Sequence, residues 1–134
     1  MLKKQQAFTM IELLVSATII ILLTTAGLVS FSQASISSRN AKRKADLETM
    51  RQALTLYKQD NSYYANTTTL NFNTMVTNLY AGEYLSETAL VDPKNTGAYV
   101  YQATCATVSG TNCIKVTLRA TLEPNSTTYD ITAI

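Results

Sequence analysis

The sequence predicts an α+β fold in which one long N-terminal helix packs on a small C-terminal antiparallel β-sheet. Three observations support this prediction. A continuous apolar run lies near the N-terminus, a helical stripe of apolar residues follows it, and runs of alternating apolar and polar residues lie towards the C-terminus. These patterns are typical of a membrane-spanning helix, an amphipathic helix and half-buried strands. The length of 134 residues allows one small domain beside the apolar segment.

The composition argues against most classes of enzyme. The chain has no His and only two Cys, so it lacks an imidazole base, a His metal ligand and the thiolates of a Cys-based zinc site. A net charge of +2 is too small for the electrostatic footprint of a nucleic-acid-binding protein. We therefore expect neither an enzyme nor a cofactor or metal site, and the composition gives no basis for a nucleic-acid partner.

The apolar run from Phe8 to Phe31 predicts a transmembrane helix. It follows a short polar leader with Lys3 and Lys4. Its uncharged part, Leu13 to Phe31, would be about 28 Å long as a helix, close to the ~30 Å hydrocarbon core of a bilayer. The alternative is a secretory signal peptide that releases a soluble domain near Ala34, but the apolar region of such a peptide is usually about 7–15 residues long.

Glu12 is an acid inside this apolar run. A carboxylate in the membrane interior costs about 3 kcal/mol or more when it has no partner. Two interpretations follow from the residue alone. Either the carboxylate stays hydrated at the level of the lipid headgroups, or it pairs with a cation in an assembled state.

The segment 8–15, FTMIELLV, follows the leader 1–7, MLKKQQA, and together they resemble the N-terminus of type IV pilins and type II secretion pseudopilins. The resemblance implies that a prepilin peptidase cleaves between Ala7 and Phe8, and that Phe8 is then N-methylated. It also makes Glu12 the fifth residue of the mature chain, where the family carries its glutamate. Ala7 departs from the glycine that usually precedes the cut.

The resemblance implies a structural subunit of a type IV pilus, a DNA-uptake pilus or a type II secretion pseudopilus. The amine freed at Phe8 would approach Glu12 of a neighbouring subunit. Loss of Lys3 and Lys4 leaves as many basic as acidic side chains, which limits repulsion between packed copies. The expected partners are other pilin or pseudopilin subunits, the prepilin peptidase, the inner-membrane assembly platform and the lipid bilayer. The alternative is a membrane-anchored extracytoplasmic binding module that does not assemble.

The sequence divides into a leader at 1–7, a transmembrane and assembly helix at 8–38, and a globular domain at 39–134. We expect a single-pass protein of the inner membrane whose globular domain lies outside the cytoplasm, and then a subunit of a periplasmic or cell-surface filament.

The second half of the long helix is amphipathic. Residues 39–60 contain no Gly or Pro, and no loop signal precedes them, so one helix is expected from Thr9 to Asp60. Its apolar stripe consists of Leu47, Met50, Leu54 and Tyr57, extended towards the N-terminus by Ala41 and Ala45.

A basic cluster begins this half of the helix and consists of Arg39, Lys42, Arg43 and Lys44. A solvated helix face is the first interpretation. Contact with anionic headgroups, with acids of a neighbouring subunit or with nucleic acid are the alternatives.

The remaining residues predict a cover for the stripe. A short second helix is expected from about Phe72 to Leu85, with Gly82 as its end, and Asp92 to Gly97 is a loop by composition. Three strands are expected at Tyr99–Thr104, Ile114–Leu122 and Thr128–Ile134, with Ile114, Val116, Leu118, Ala120 and Leu122 facing inwards. This order of elements resembles the major pseudopilins.

Cys105 and Cys113 flank a turn at Ser109-Gly110 and suit a disulfide across a hairpin. Such a bridge would stabilise the domain by roughly 2–3 kcal/mol and would place it outside the cytoplasm. Two free thiols are the alternative. Some pseudopilins bind calcium through acids of their C-terminal loops; the residues do not establish such a site here, and Asp92 and Asp130 are the carboxylates to inspect.

Overall fold

A computed structural model describes residues 8–66, 70–86 and 90–134, and it confirms the predicted α+β, pilin-like fold. The elements are helix α1 (Met10–Asn61), strand β1 (Ala65–Asn66), helix α2 (Phe72–Ala81), and strands β2 (Gln102–Ser109), β3 (Asn112–Leu122) and β4 (Thr127–Ala133). The chain divides between Ser37 and Ser38 into two compact units, here called the N-terminal unit and the C-terminal unit, and α1 contributes to both. The expected leader, with Lys3, Lys4 and Ala7, lies outside the described residues.

The part of α1 in the N-terminal unit presents apolar side chains in all directions. Every residue from Phe8 to Ala34 is exposed, and the helix is long and apolar enough to cross a membrane. The hydroxyl groups of this segment donate to backbone carbonyls three or four residues earlier, at 2.6–3.0 Å, in Ser16, Thr18, Thr24 and Thr25. These side chains therefore add no unsatisfied donor to an apolar environment.

The predicted apolar stripe of α1 is confirmed in the C-terminal unit. Leu47, Met50 and Leu54 are fully buried, and Tyr57 is half-buried against the same core. The helix ends at Asn61, one residue beyond the expected end. This face of α1 packs against α2 and the sheet, where the core includes Met75, Leu79, Val116, Leu118 and Ala120.

The predicted extension of the stripe through Ala41 and Ala45 is wrong, since both residues are exposed. The buried positions that precede Leu47 belong to Arg43 and Asp46. Helical periodicity thus continues, but charged side chains occupy it, because each finds a partner elsewhere in the unit.

Strand β3 is the centre of the antiparallel sheet. It pairs with β2 on one side, and with β1 and β4 on the other. The expected first strand at 99–104 is wrong in its bounds: residues 99–101 precede β2, which continues to Ser109 through its pairing with β3. Strand β1 was not expected at all, because its two residues lie in a polar, turn-like stretch.

The predicted alternation of β3 holds at Val116, Leu118 and Ala120, which are fully buried. Ile114 and Leu122 are only half-buried, and beside Ile114 it is Cys113 that is completely buried. The register with β2 shifts at this point, and a bulge of this kind moves the following side chains to the opposite face.

Helix α2 begins at a side-chain cap and ends at the predicted glycine. The Asn71 side chain accepts a hydrogen bond from the Asn73 amide at 3.0 Å. The helix ends at Ala81 with Gly82 as its C-cap, which confirms the predicted role of Gly82, and the rest of the stretch to Leu85 lies beyond the helix. A side chain at Gly82 would meet the Tyr84 ring at 2.8 Å, which explains the need for glycine.

Candidate functional site

The residues expected to be processed and to drive assembly lie at the start of α1. Phe8 is 76% exposed and precedes the helix, and Glu12 is exposed in its first turn. The Thr9 hydroxyl accepts a hydrogen bond from the Glu12 amide at 3.3 Å, and its carbonyl accepts one from Leu13. An acid in the first turn is favoured by the helix dipole. Ion pairs of the described residues do not include Glu12.

A second cluster of charges lies in the C-terminal unit, and its centre is Arg43. The side chain of Arg43 is completely buried. Its Nε and Nη2 donate to the two Asp92 carboxylate oxygens at 2.7 and 3.0 Å, and its Nη1 donates to Asn40 Oδ1 at 2.7 Å. Nη2 also lies 2.9 Å from Glu123 Oε1. Arg43 therefore joins α1 to the loop before β2 and to the residue after β3.

Glu123 connects three cations. Its carboxylate accepts hydrogen bonds from Arg39 Nε and Nη2 at 2.8 and 2.7 Å, and Lys94 Nζ lies 3.0 Å from Oε2. The Asn40 side chain donates to the Glu123 carbonyl at 2.8 Å and accepts from the Glu123 amide at 3.0 Å. We call Arg39, Arg43, Lys94, Asp92 and Glu123 the ion network.

Electrostatics keep the ion network charged at neutral pH. Hydrogen bonds from Arg39 hold the pKa of Glu123 well below its usual range, against the opposing effect of burial, and Lys94 and Arg43 add to the lowering. Burial opposes ionisation of Asp92, but Arg43 and two backbone amides outweigh it and lower the pKa of this carboxyl. The hydrogen bond to Asp92 raises the pKa of Arg43 further above its ordinary value.

The expected solvated face is therefore wrong for two of the four basic residues. Arg39 and Arg43 bind acids of their own chain, as the ion network shows. Lys42 and Lys44 are exposed. Lys42 lies 3.9 Å from Asp46, and Lys44 lies over the Tyr129 ring at 5.3 Å.

Asp46 forms a second buried polar contact. Its carboxylate accepts a hydrogen bond from the Tyr101 hydroxyl at 2.7 Å. Burial, together with this hydrogen bond, raises the pKa of Tyr101.

The two acids marked for inspection both bind arginine. Asp92 belongs to the ion network, and both carboxylate oxygens of Asp130 accept hydrogen bonds from Arg119 at 2.7 Å. In the part of the chain that the structure describes, no group of three or more Cys, Asp or Glu is arranged to hold a metal ion.

Cys105 and Cys113 are joined by a disulfide, with their Cα atoms 5.8 Å apart. The bond links β2 to β3 across the irregular part of their pairing. Cys113 is completely buried and Cys105 is half-buried. The covalent link therefore fixes the hairpin where its ladder is least regular.

Sequence reasoning missed the ion network. A buried arginine gives no periodic signal, and Glu123 gave no sign that it would return to α1. The Asp92-Pro93 loop was recognised as a loop, but its partner on the helix was not. Such contacts between distant residues become visible only in the folded chain.

An exposed apolar helix with an acid in its first turn, followed by a small α+β unit, fits a membrane-anchored protein with a prepilin-type N-terminus. Residues 2–28 match the family model described as the prokaryotic N-terminal methylation motif. Neither a curated protein nor a solved structure gave a match.

The matched motif supports a likeness to type IV pilins and pseudopilins. It indicates a prepilin-type leader and, in general, processing by a prepilin peptidase and assembly with other pilin subunits. The motif and the long apolar helix together fit a single-pass protein anchored in the inner membrane.

Proposed function

We propose that the chain is a structural subunit that polymerises into a type IV pilus or a type II secretion pseudopilus after loss of the leader 1–7. The observation that carries this proposal is the exposed apolar surface from Phe8 to Ala34. Such a surface needs lipid before assembly, and in a filament the apolar helices of other subunits replace the lipid.

Processing at Phe8 is the first step of the proposed function. Cleavage after Ala7 creates a new amine, and methylation of this amine keeps its positive charge. Mass spectrometry of the mature protein is the test, with an N-methylated Phe8 as the expected N-terminus. An intact Met1 would contradict the proposal and would favour a membrane-anchored module that does not assemble.

Glu12 supplies the second step by binding the Phe8 amine of a neighbouring copy. Two unit charges about 4 Å apart attract by roughly 4 kcal/mol at an effective dielectric constant near 20. Desolvation offsets part of this attraction, so the pair acts mainly on the register between copies. Since the helix rises ~1.5 Å per residue, a neighbour shifted by about 6 Å along its axis brings its amine level with Glu12.

Replacement of the acid tests this step. Glu12→Ala is expected to insert into the membrane at the wild-type level and to abolish fibres, which is measured by shearing cells and imaging the released material. The matched control is Glu48→Ala, which removes an exposed acid paired with Arg51 on the same helix. A normal yield of Glu12→Ala fibres would refute the pairing.

The disulfide supports a location of the domain 39–134 outside the cytoplasm, because structural disulfides persist in oxidising compartments. In intact cells, Cys105 and Cys113 are then expected to resist alkylation until a reductant is added. Alkylation without reductant would argue for a reduced domain and against this location.

A further inference from the structure

Both carboxylates of the ion network are saturated with donors. Glu123 receives four N–H groups from Arg39, Arg43 and Lys94. Asp92 also receives four, two from Arg43 and one each from the Lys94 and Asn95 amides. Because a carboxylate has about four acceptor positions, the network has little capacity for a further donor.

Lys94 is the most exposed cation of the ion network. Its side chain is 41% exposed, whereas that of Arg39 is 29% exposed and that of Arg43 is fully buried. The ammonium group lies 3.0 Å from Glu123 and 4.5 Å from the centre of the Tyr99 ring. An ammonium group has three donors, so Lys94 can bind a further acceptor that comes from solvent or from another molecule.

Glu83 is an exposed acid on the same unit. It follows α2 directly, and the ion pairs among the described residues do not include it. Its φ of 63° lies in the left-handed region that residues other than Gly, Asn and Asp seldom adopt. The preceding glycine does not take this conformation, since the C-cap Gly82 has a φ of −88° and makes room for the Tyr84 ring.

The turn that holds Glu83 is tied to the end of α1. The Tyr84 hydroxyl donates to Asp60 at 2.7 Å, so two carboxylates lie at this edge of the unit. The nearest cation in sequence, Lys58, is directed elsewhere: it lies 4.7 Å from the centre of the Tyr64 ring and donates weakly to the Ile114 carbonyl.

We propose that Glu83 of one copy binds Lys94 of a second copy, and that this contact joins C-terminal units in the assembled fibre. The inference rests on the proposed function as a filament subunit. Each copy offers a donor and an acceptor at different places, so the contact is heterologous and repeats along a filament without closing.

The axial positions of the two groups fix the shift between the copies. Lys94 lies at the level of Arg43 on α1, and Glu83 lies at the level of Asp60. Between these two helix positions α1 rises about 25 Å.

Cysteine cross-linking in the full chain tests the contact directly. Fibres of a Lys94→Cys, Glu83→Cys variant are expected to give a ladder of covalent multimers on non-reducing gels after mild oxidation. The matched control is a Lys115→Cys, Glu83→Cys variant, in which Lys115 is a half-exposed lysine on β3. It is expected to give no ladder. Fibres without a ladder in the first variant, or with an equal ladder in the control, would overturn the contact.

Charge exchange provides a second measurement that does not depend on cross-linking. Lys94→Glu and Glu83→Lys are each expected to lower the yield of fibres roughly two- to fivefold, the range for an exposed ion pair. The combined variant is expected to restore the yield. A loss with Lys94→Glu that Glu83→Lys neither shares nor rescues would assign the effect to the broken Lys94–Glu123 pair within one copy and would refute the contact between copies.

The two proposals fail in different ways. If the wild-type chain forms no fibres, the proposed function is wrong. If wild-type fibres form and the exchange does not rescue them, only the Glu83–Lys94 contact is wrong.

Discussion

Removal of the Arg43 guanidinium is the most informative perturbation of the C-terminal unit. Arg43→Met keeps an unbranched side chain of similar length in the helix but leaves the Asp92 carboxylate, which is 0% exposed, without its ion-pair partner. Glu123 loses one partner and keeps two, Arg39 and Lys94. The orphaned Asp92 therefore dominates the expected effect.

The magnitude follows from the burial of the pair. Loss of one partner of a buried ion pair typically costs 3–5 kcal/mol, because an uncompensated charge remains in the interior. Since both Arg43 and Asp92 have fully buried side chains, we expect a loss of about 3 kcal/mol in the free energy of unfolding. A domain of this size has a total stability of roughly 5–15 kcal/mol, so the variant approaches unfolding.

Urea denaturation of the full chain in detergent micelles measures this loss. The chain has no Trp, so the fluorescence and near-ultraviolet circular dichroism of its tyrosines report unfolding, and Tyr64 and Tyr101 are buried reporters. With a slope near 1–1.5 kcal/mol per molar urea, a loss of about 3 kcal/mol lowers the midpoint by about 2–3 M.

The control and the rescue make the result specific. Arg119→Met breaks the exposed pair with Asp130 and is expected to cost at most about 1 kcal/mol. Arg43→Met combined with Asp92→Asn removes the orphaned charge and is expected to recover about half of the loss. An Arg43→Met cost equal to that of Arg119→Met, or no recovery in the double variant, would refute the reasoning.

Three further predictions concern the same unit. Replacement of both Cys105 and Cys113 by Ser is expected to lower the free energy of unfolding by roughly 2–3 kcal/mol in the same urea assay, with no further loss in the presence of reductant. Folding lowers the pKa of both Asp92 and Glu123. The two carboxylates therefore stabilise the folded unit fully above the ordinary carboxyl pKa near ~4, and this stabilisation is lost as pH falls through their lower pKa values in the folded state. The urea midpoint should therefore fall steeply below about pH 4, and a flat profile down to pH 3 would contradict this. Asn71→Ala removes the N-terminal cap of α2 and should lower the free energy of unfolding by about 1 kcal/mol, whereas Asn71→Asp should retain most of the stabilisation that the cap provides.

Local patterns were sufficient for the helices and for the inward face of the central strand. Helix α1 was predicted to within one residue at each end, because its apolar periodicity is continuous and no Gly or Pro interrupts its second half. The inward positions Val116, Leu118 and Ala120 were also correct, since alternation is a property of the strand itself. The bulge beside Ile114 was not predictable, because it depends on how β2 pairs with β3.

Charged side chains mark the limit of such patterns. Ala41 and Ala45 were expected inside on the basis of hydrophobicity, but they are exposed, and Arg43 and Asp46 are buried instead. Burial of a charge depends on whether a partner is available, and for Arg43 one partner is Asp92, 49 residues away in the sequence.

The sequence by itself determined the N-terminal motif and the membrane-length helix, because both depend on residues that are contiguous or regularly spaced. The tertiary structure alone decided which cations are buried with acids and which remain on the surface. Those choices depend on residues that are far apart in the chain, and only folding brings them within the few ångströms over which ion pairs and hydrogen bonds form.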